Sequence, residues 1–296
     1  MTIHLAKRAV IEVAGPEARV FLHSLLSADI ANLEHGKSTW AGLLTPQGKI
    51  LFDMFAWAAR PEDGVEGFLL DVAAGTAAAL LARLGMYKLR REVEIQARPD
   101  LAVLADATEE DGPHVAFGPD PRYAEMGTRA ISPADVAGRF GNGATAYDER
   151  RIALGLPDSE KDIGSGELFP HEANFDQLGA VSFTKGCYVG QEVVSRMQHR
   201  GTARNRLIPV ATTAPVRPQT PVMADEKRIG EITGSINESG TRAIALMRLD
   251  RLAQAAQAEE IPVAGEARIL PVQPPWAQFE VPGAVREEQA WGPPAR

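Results

Sequence analysis

The chain has 296 residues, past the size at which one hydrophobic core usually stops growing, so two or three domains are expected. Hydrophobic residues make up 45% and charged residues 24%, which excludes intrinsic disorder. The formal net charge of -8 argues against nonspecific binding to nucleic acid, and the single cysteine excludes an intrachain disulfide and points to a reducing compartment.

No segment approaches the roughly 18 apolar residues of a membrane span, and "MTIHLAKRAVIEVAGPEARV" has no apolar run of signal-peptide length. No membrane partner is expected. "KRAVIEVAG" alternates as a half-buried strand does, and "GPEARVFLHSLLSADIANL" follows with apolar positions at helical spacing, Pro16 fitting the first turn. "WAGLLTPQGKILFDMFAWAA" reads as two strands joined at "TPQG", where Pro46 and Gly48 supply turn chemistry.

Next, "GFLLDVAAGTAAALLARLGMYKLRREVEIQARPDLAVLADA" reads strand, helix, strand, strand, with Asp71 or Thr76 placed to cap the helix. A further strand and helix are expected in "HVAFGPDPRYAEMGTRAI" and "SPADVAGRF". Strands mixed with helices and hairpins predict an α+β fold with mainly antiparallel sheet. A helix in "YDERRIALGLPD" then leads into a long loop rich in Gly, Pro and acids, the kind of loop that usually carries function. From Asn205 the pattern turns to short strands with frequent turns, "RLIPVATT", "TPVMADEKRIGEITGS", "TRAIALMRLD" and "EARILPVQ", which predicts a small β-barrel or sandwich. The last residues, rich in Pro, Gly and charge, are expected to fray.

The one cysteine stands in "SFTKGCYVGQEVVSRMQHRG". Gly186 and Gly190 flank it, residues that allow backbone angles or close approaches a β-carbon resists. Gly190 is expected to open a helix, "QEVVSRMQHR", that Gly201 ends. Cys187 would then lie just before a helix N-terminus, whose dipole, with Lys185, favours a thiolate. The alternative is a small buried hydrophobe where a loop meets a helix. His171 and His199 are the nearest bases in sequence, but no Cys/His protease signature is present, and one thiolate does not make a four-ligand metal site. Downstream, Arg196, His199, Arg200, Arg204 and Arg206 form a local basic run, either a solvated face with ion pairs or an anion site.

"KGCYVGQE" resembles the signature of YgfZ-type folate-binding proteins, relatives of the glycine cleavage T-protein (aminomethyltransferase) that include mitochondrial iron-sulfur assembly factors. "FLHSLLSADIANL", "LLTPQGKILFDMFAW", "RRIALGLPD", "LFPHEANFD", "RIGEITGS" and "AIALMRLD" are similar to further segments of that family, so the likeness spans about residues 5 to 275. It implies a GcvT-like fold around a central cavity. Residues 1–48 with 140–204 would form a discontinuous folate-binding domain, 49–139 an inserted ferredoxin-like domain, 205–275 a C-terminal β-barrel and 276–296 a flexible tail.

The resemblance also implies a function. It makes the chain a tetrahydrofolate-binding accessory factor in assembly or repair of [4Fe-4S] clusters, working with A-type carrier proteins and client [4Fe-4S] enzymes in a bacterial cytosol or mitochondrial matrix. Cys187 and Asp53 would be the reacting groups, and a cluster, if bound, would be transient and shared with a partner. Asp53, Lys185, Tyr188, Gln191, Glu192, Glu172, Asn174, Arg196 and Arg200 would contact the cofactor, tetrahydrofolate or a derivative, with Phe52, Phe55, Trp57, Phe169 and Phe175 as candidate walls. The alternative is a tetrahydrofolate-dependent one-carbon transferase or demethylase. Phe52 departs from that pattern, standing where aminomethyltransferases carry a second acid.

Overall fold

The structure is a computed structural model, and it describes residues 1–59, 66–141, 143–201, 203–286 and 290, the Arg200 side chain excepted. The chain divides into two units. One comprises Met1–Tyr147, Ser165–Glu167 and Leu178–Ser195, and the other Asp148–Gly164, Leu168–Gln177 and Arg196–Arg296.

The first unit holds β1 (Ile3–His4), β2 (Arg8–Ala14), α1 (Ala18–Leu25), β3 (Ser38–Leu44), β4 (Ile50–Ala59), β5 (Gly67–Ala73), α2 (Ala74–Lys88), β6 (Glu94–Ala97), β7 (Leu101–Ala105), β8 (Ala116–Pro119), β9 (Thr128–Pro133) and α3 (Ala134–Ala137). An antiparallel sheet runs β3-β4-β5-β2-β6, and a second runs β1-β7-β9-β8. The period-2 alternation of β4 separates two environments. Met54, Ala56 and Ala58 join Phe21, Leu22 and Leu25 of α1 and Leu80 and Leu84 of α2 in one buried cluster, with Phe52 packed against it. Each such Leu or Phe, fully removed from water, stabilises the fold by about 1.5–3 kcal/mol. Asp53, Phe55 and Trp57 face the opposite way and are also buried.

That opposite face explains why Asp71 caps nothing. Asp71 Oδ1 accepts from Arg8 Nε at 2.6 Å and its Oδ2 accepts from Arg129 Nε at 2.5 Å. Arg8 and Arg129 sit over the Phe55 ring at 5.4 and 4.0 Å. Helix α2 begins at an Ala73 N-cap with no side-chain cap bond, so neither expected cap acts, and Thr76 donates instead to the Ala73 carbonyl at 3.2 Å. Helix α1 is shorter than its apolar pattern suggests. It starts two residues after Pro16 and stops where Leu26 turns extended, at ψ 151.

The expected boundary at residue 48 does not stand. Residues 38–44 and 50–59 pair as one hairpin, Gly42 opposite Asp53, inside the sheet that β2 also joins. A sheet whose ladder bonds cross a boundary is not divided by it.

Helices α4 (Ala144–Ala153) and α5 (Gln191–Arg200) each begin in the first unit's span and end in the second's. The second unit is built on β10 (Asn205–Thr212), β11 (Pro221–Ala224), β12 (Lys227–Ile236), β13 (Arg242–Arg248), α6 (Leu249–Gln257), β14 (Val263–Ala264) and β15 (Ala267–Pro271). Its strands close a barrel in the order β10-β13-β12-β11-β14-β15, filled by Ile208, Val210, Ile232, Ala245 and Met247. Helix α6 was not expected, because "TRAIALMRLD" reads as one strand through Leu249 and Asp250, which form the first turn of the helix. It buries Leu252 and Ala255 against the barrel core.

The expected loop after α4 carries one turn of π-helix, Ser159–Ile163, N-capped by the Asp158 side chain. Nor does the segment from residue 276 fray at its start. Trp276 Nε1 donates to the Leu154 carbonyl at 2.7 Å, Val281 is buried in the barrel core and Val285 bridges Val272. The rest of that expected tail, 287–289 and 291–296, lies outside the described residues. Among the described residues no helix is long and apolar enough to cross a membrane.

Candidate functional site around Cys187

Cys187 is exposed. The expectation of a buried hydrophobe is therefore not met, and the reason lies in its two neighbours. Lys185 and Tyr188 point inward, both buried, while Thr184, Gly186 and Cys187 stay at the surface.

Lys185 fixes the loop. Its ammonium donates to the carbonyls of His23 at 2.5 Å, Leu26 at 2.6 Å and Ala28 at 2.9 Å. These carbonyls belong to the last turn of α1 and the residues just beyond it, where helix geometry leaves acceptors open. An ammonium has three protons, and all three are placed. Burial pulls the Lys185 pKa down to about 8, with the Asp29 charge opposing. The ammonium also lies 5.1 Å from the centroid of the Tyr188 ring. Burial of that phenol pushes its pKa up to about 12.

Ser27, which sequence reading passed over, completes the seat. Its hydroxyl donates to the Ala180 carbonyl at 2.6 Å and accepts from the Gly42 amide at 2.8 Å. Its own carbonyl accepts from the Ser182 amide at 2.9 Å. No local signal marks it, since a serine within "HSLLSAD" reads equally as a solvent-facing position.

Gly190 and Gly48 interlock. Gly190 has φ +83, and a β-carbon there would lie 2.6 Å from the Thr45 carbonyl and 3.0 Å from the Gly48 Cα. Gly48 has φ +82, and its β-carbon would meet the Val193 Cβ at 2.8 Å. The hairpin turn "TPQG" thus packs directly on the start of α5. Gly186 has no such requirement, since nothing lies within 4 Å of a β-carbon there. Gly201, at φ +58, follows the last residue of α5 as expected of a C-terminal glycine. Cys187 itself stands outside the helix start. The turn from Tyr188 to Gln191, closed by a 3.3 Å bond from the Gln191 amide to the Tyr188 carbonyl, separates it from α5.

Asp53 sits on β4 opposite Gly42, and its Oδ2 accepts from the Trp40 indole at 2.9 Å. The strand's first residues are tied down by Gly166, whose amide donates to the Ile50 carbonyl at 2.7 Å, and by Ser165, whose hydroxyl donates to the Leu51 carbonyl at 2.9 Å. Of the candidate aromatic walls in this unit, Phe55 and Trp57 share Asp53's face and Phe52 does not. Gln191 is half-buried and Glu192 exposed at the start of α5.

The remaining expected contacts belong to the second unit. Glu172 accepts from the Phe169 amide at 2.9 Å and from Asn205 Nδ2 at 2.8 Å. Asn174, at φ +61, donates to the Leu207 carbonyl at 2.7 Å. Both side chains brace the loop "LFPHEANFD" against β10, and Phe175 is fully buried beneath it. The basic run does not form one surface. Arg196 and His199 are exposed, the Arg200 side chain lies outside the described residues, and Arg206 is buried in a fork on Asp176 at 2.6 and 2.9 Å. Among the described residues no three His, Cys, Asp or Glu side chains are gathered as a metal site.

The family model of the CAF17 C-terminal beta-barrel domain matches residues 204–279, the span of the closed barrel. The iron-sulfur cluster assembly factor IBA57 of human mitochondria is 32% identical over 234 residues, covering 71% of this chain and 65% of that protein. The mitochondrial IBA57 homolog of Pyricularia oryzae is 31% identical over 279 residues, covering 83% and 71%. The crystal structure of glycine cleavage system aminomethyltransferase T from Bartonella henselae aligns over 95% of this chain and 87% of its own, with a TM-score of 0.71 at 20% identity. That likeness is one of fold: the chain has the aminomethyltransferase fold, with the closed barrel described above.

Proposed function

The chain belongs to the IBA57 family of iron-sulfur cluster assembly factors, and on that premise we propose that it acts in the assembly or repair of [4Fe-4S] clusters, with Cys187 as its working thiol. One observation carries the reading. The cysteine is exposed on a loop whose base is fixed by the three bonds of Lys185. A fixed backbone under an exposed thiol presents that sulfur to a protein surface at little ordering cost. Because no other metal-ligating cluster accompanies it among the described residues, a cluster held through Cys187 takes its remaining ligands from a partner. A-type carriers and client [4Fe-4S] enzymes are the partners this reading assigns. The human and fungal relatives are named as mitochondrial, and a mitochondrial matrix or bacterial cytosol suits a reduced thiol.

Tetrahydrofolate is the cofactor the reading adds. Asp53, anchored by Trp40 beside Phe55, supplies an acceptor for the N–H groups of a pterin. The Tyr188 hydroxyl, buried without a hydrogen-bond partner, is a second polar atom a ligand would satisfy. Lys185 does not fit a ligand-binding role, its donors being committed. When bound, a reduced folate supplies a nucleophilic ring nitrogen, and the chain's own residues bind and orient it.

The test is anaerobic reconstitution with a cluster-loaded A-type carrier. The unsubstituted chain should form a complex with the spectrum of a bound cluster, and Cys187→Ala should keep its fold and lose that spectrum. Equal cluster transfer by the variant sinks the thiol role. Steady turnover of a methylamine-type donor with tetrahydrofolate, lost in Asp53→Asn, would favour the transferase reading instead.

A further inference from the structure

The C-terminal end of α2 carries a surface that the Cys187 site does not use. Between Ala74 and Arg91 the sequence has no acidic residue, and Arg83, Lys88, Arg90 and Arg91 fall within nine positions of a chain whose net charge is -8. Only Arg91 finds an acid, Glu17 at 3.4 Å. Among the described residues no acidic side chain lies within ion-pair distance of Arg83, Lys88 or Arg90.

Apolar exposure coincides with this charge. Met86 is 67% exposed and Leu89 86% exposed, the largest values for large apolar side chains among the described residues apart from Met1. Leu89 is held at φ +50 and ψ -112 at the helix C-cap, a left-handed position that favours glycine. A leucine kept there, in solvent, does nothing for the fold. A groove of about 690 Å³ opens beside it, lined by Glu17, Tyr87, Lys88, Leu89, Arg90 and Arg91. Glu17, paired with Arg91, is the one acid of that lining, while Glu92 and Glu94 line a separate cleft that shares Lys88 and Arg91 with it.

From this arrangement we infer that the end of α2 is a docking surface for an acidic amphipathic helix of a partner protein. The partner's apolar stripe covers Met86 and Leu89, and its carboxylates pair with Arg83, Lys88 and Arg90. A lipid surface fits less well, because two exposed apolar side chains give little insertion. A second copy brings the same cations to the same place and repels them.

The probe is a fluorescent 18-residue synthetic helix with leucines at helical spacing flanked by glutamates, titrated into the full chain at low salt and followed by anisotropy. Saturable binding is expected. It should weaken at least tenfold in the Arg83→Glu, Arg90→Glu double variant and fall as salt is added. Leu89→Gly should keep or raise the melting temperature and still weaken binding several-fold, which separates docking from folding. Equal binding of the counterpart with lysine for glutamate, or binding unchanged by the double variant, overturns the proposal. A concentration-dependent dimer that Met86→Asp dissolves assigns the surface to a second copy and overturns it too. Co-sedimentation with phosphatidylglycerol vesicles, abolished by the same charge reversals, does so in favour of lipid.

Discussion

Lys185 Nζ lies 2.6 Å from the carbonyl oxygen of Leu26, a buried ammonium closing the chain exit of α1. The same nitrogen reaches His23 and Ala28, so one side chain from the cysteine loop satisfies three acceptors 157 to 162 positions away. Position 185 is thereby a structural clip.

Lys185→Met removes the buried charge, which helps, and leaves three carbonyls without that donor, which costs more. Each buried acceptor left unsatisfied costs about 1–3 kcal/mol, so a net loss of roughly 2–4 kcal/mol is expected. Urea denaturation of the full chain measures it. Hydrogen exchange should show residues 182–188 losing protection first, and uniform loss across the unit would refute the clip.

The glycines give a sharper contrast. Gly48→Ala and Gly190→Ala each place a β-carbon into backbone or Val193 at a positive φ. Each should cost roughly 2 kcal/mol, lowering the melting temperature by about 4–8 °C. Since the two positions touch, their double variant should fall short of the sum. Gly186→Ala meets nothing and should stay within about 0.5 kcal/mol of the parent. A large loss there would show that its glycine has a role beyond this structure.

How much of this was legible in the sequence follows from the range of the interactions. Period-2 and helical spacing are local, and they delivered β2, the β3–β4 hairpin, α2, α5 and the barrel strands. The face of Asp53 was also legible as a face, because alternation fixes it, though which side it looked to was not. The function of Asp71 was not legible. An aspartate before an alanine-rich helix reads as a cap, and only the fold brings Arg8 and Arg129, 63 and 58 positions distant, onto its oxygens. Lys185 and Ser27 escaped for the same reason, since their partners lie more than 150 positions away. The boundary at 48 failed because a tight turn looks the same within a domain as between two.

In the second unit, Arg151 is 1% exposed and donates to the Leu156 carbonyl at 2.8 Å, to Ser235 Oγ at 2.9 Å and to Asp162 Oδ2 at 3.3 Å. Asp162 also accepts from the Asp158 amide at 2.7 Å and from the Ser235 hydroxyl at 2.6 Å. The pair joins the π-helical turn to β12. Arg151→Met leaves the carboxylate buried without its cation and should cost about 3–5 kcal/mol. Adding Asp162→Leu to that variant removes the orphaned charge and should recover part of the loss. A double variant as unstable as the single would mean that packing, not charge, holds the junction.

His171 gives the pH dependence. Its Nε2 lies 3.1 Å from Gln198 Oε1, its carbonyl accepts from Arg206 at 2.7 Å, and the charges around it are Asp176, Arg206 and Glu172. Burial holds the imidazole below its ordinary 6.5, with Asp176 opposing and Arg206 assisting. As pH falls through 6.5, the unfolded chain takes up the proton before the folded one does. The unfolded state then binds more protons, so the stability this group contributes is present above 6.5 and drains away toward the lower folded value. His171→Phe cannot titrate and should show a flatter profile. Between about pH 7.5 and about pH 5, the unfolding free energy of the parent should drop more than that of the variant. Parallel profiles would mean that other groups carry the acid sensitivity. A steeper fall in the variant would mean that His171 is held charged in the fold.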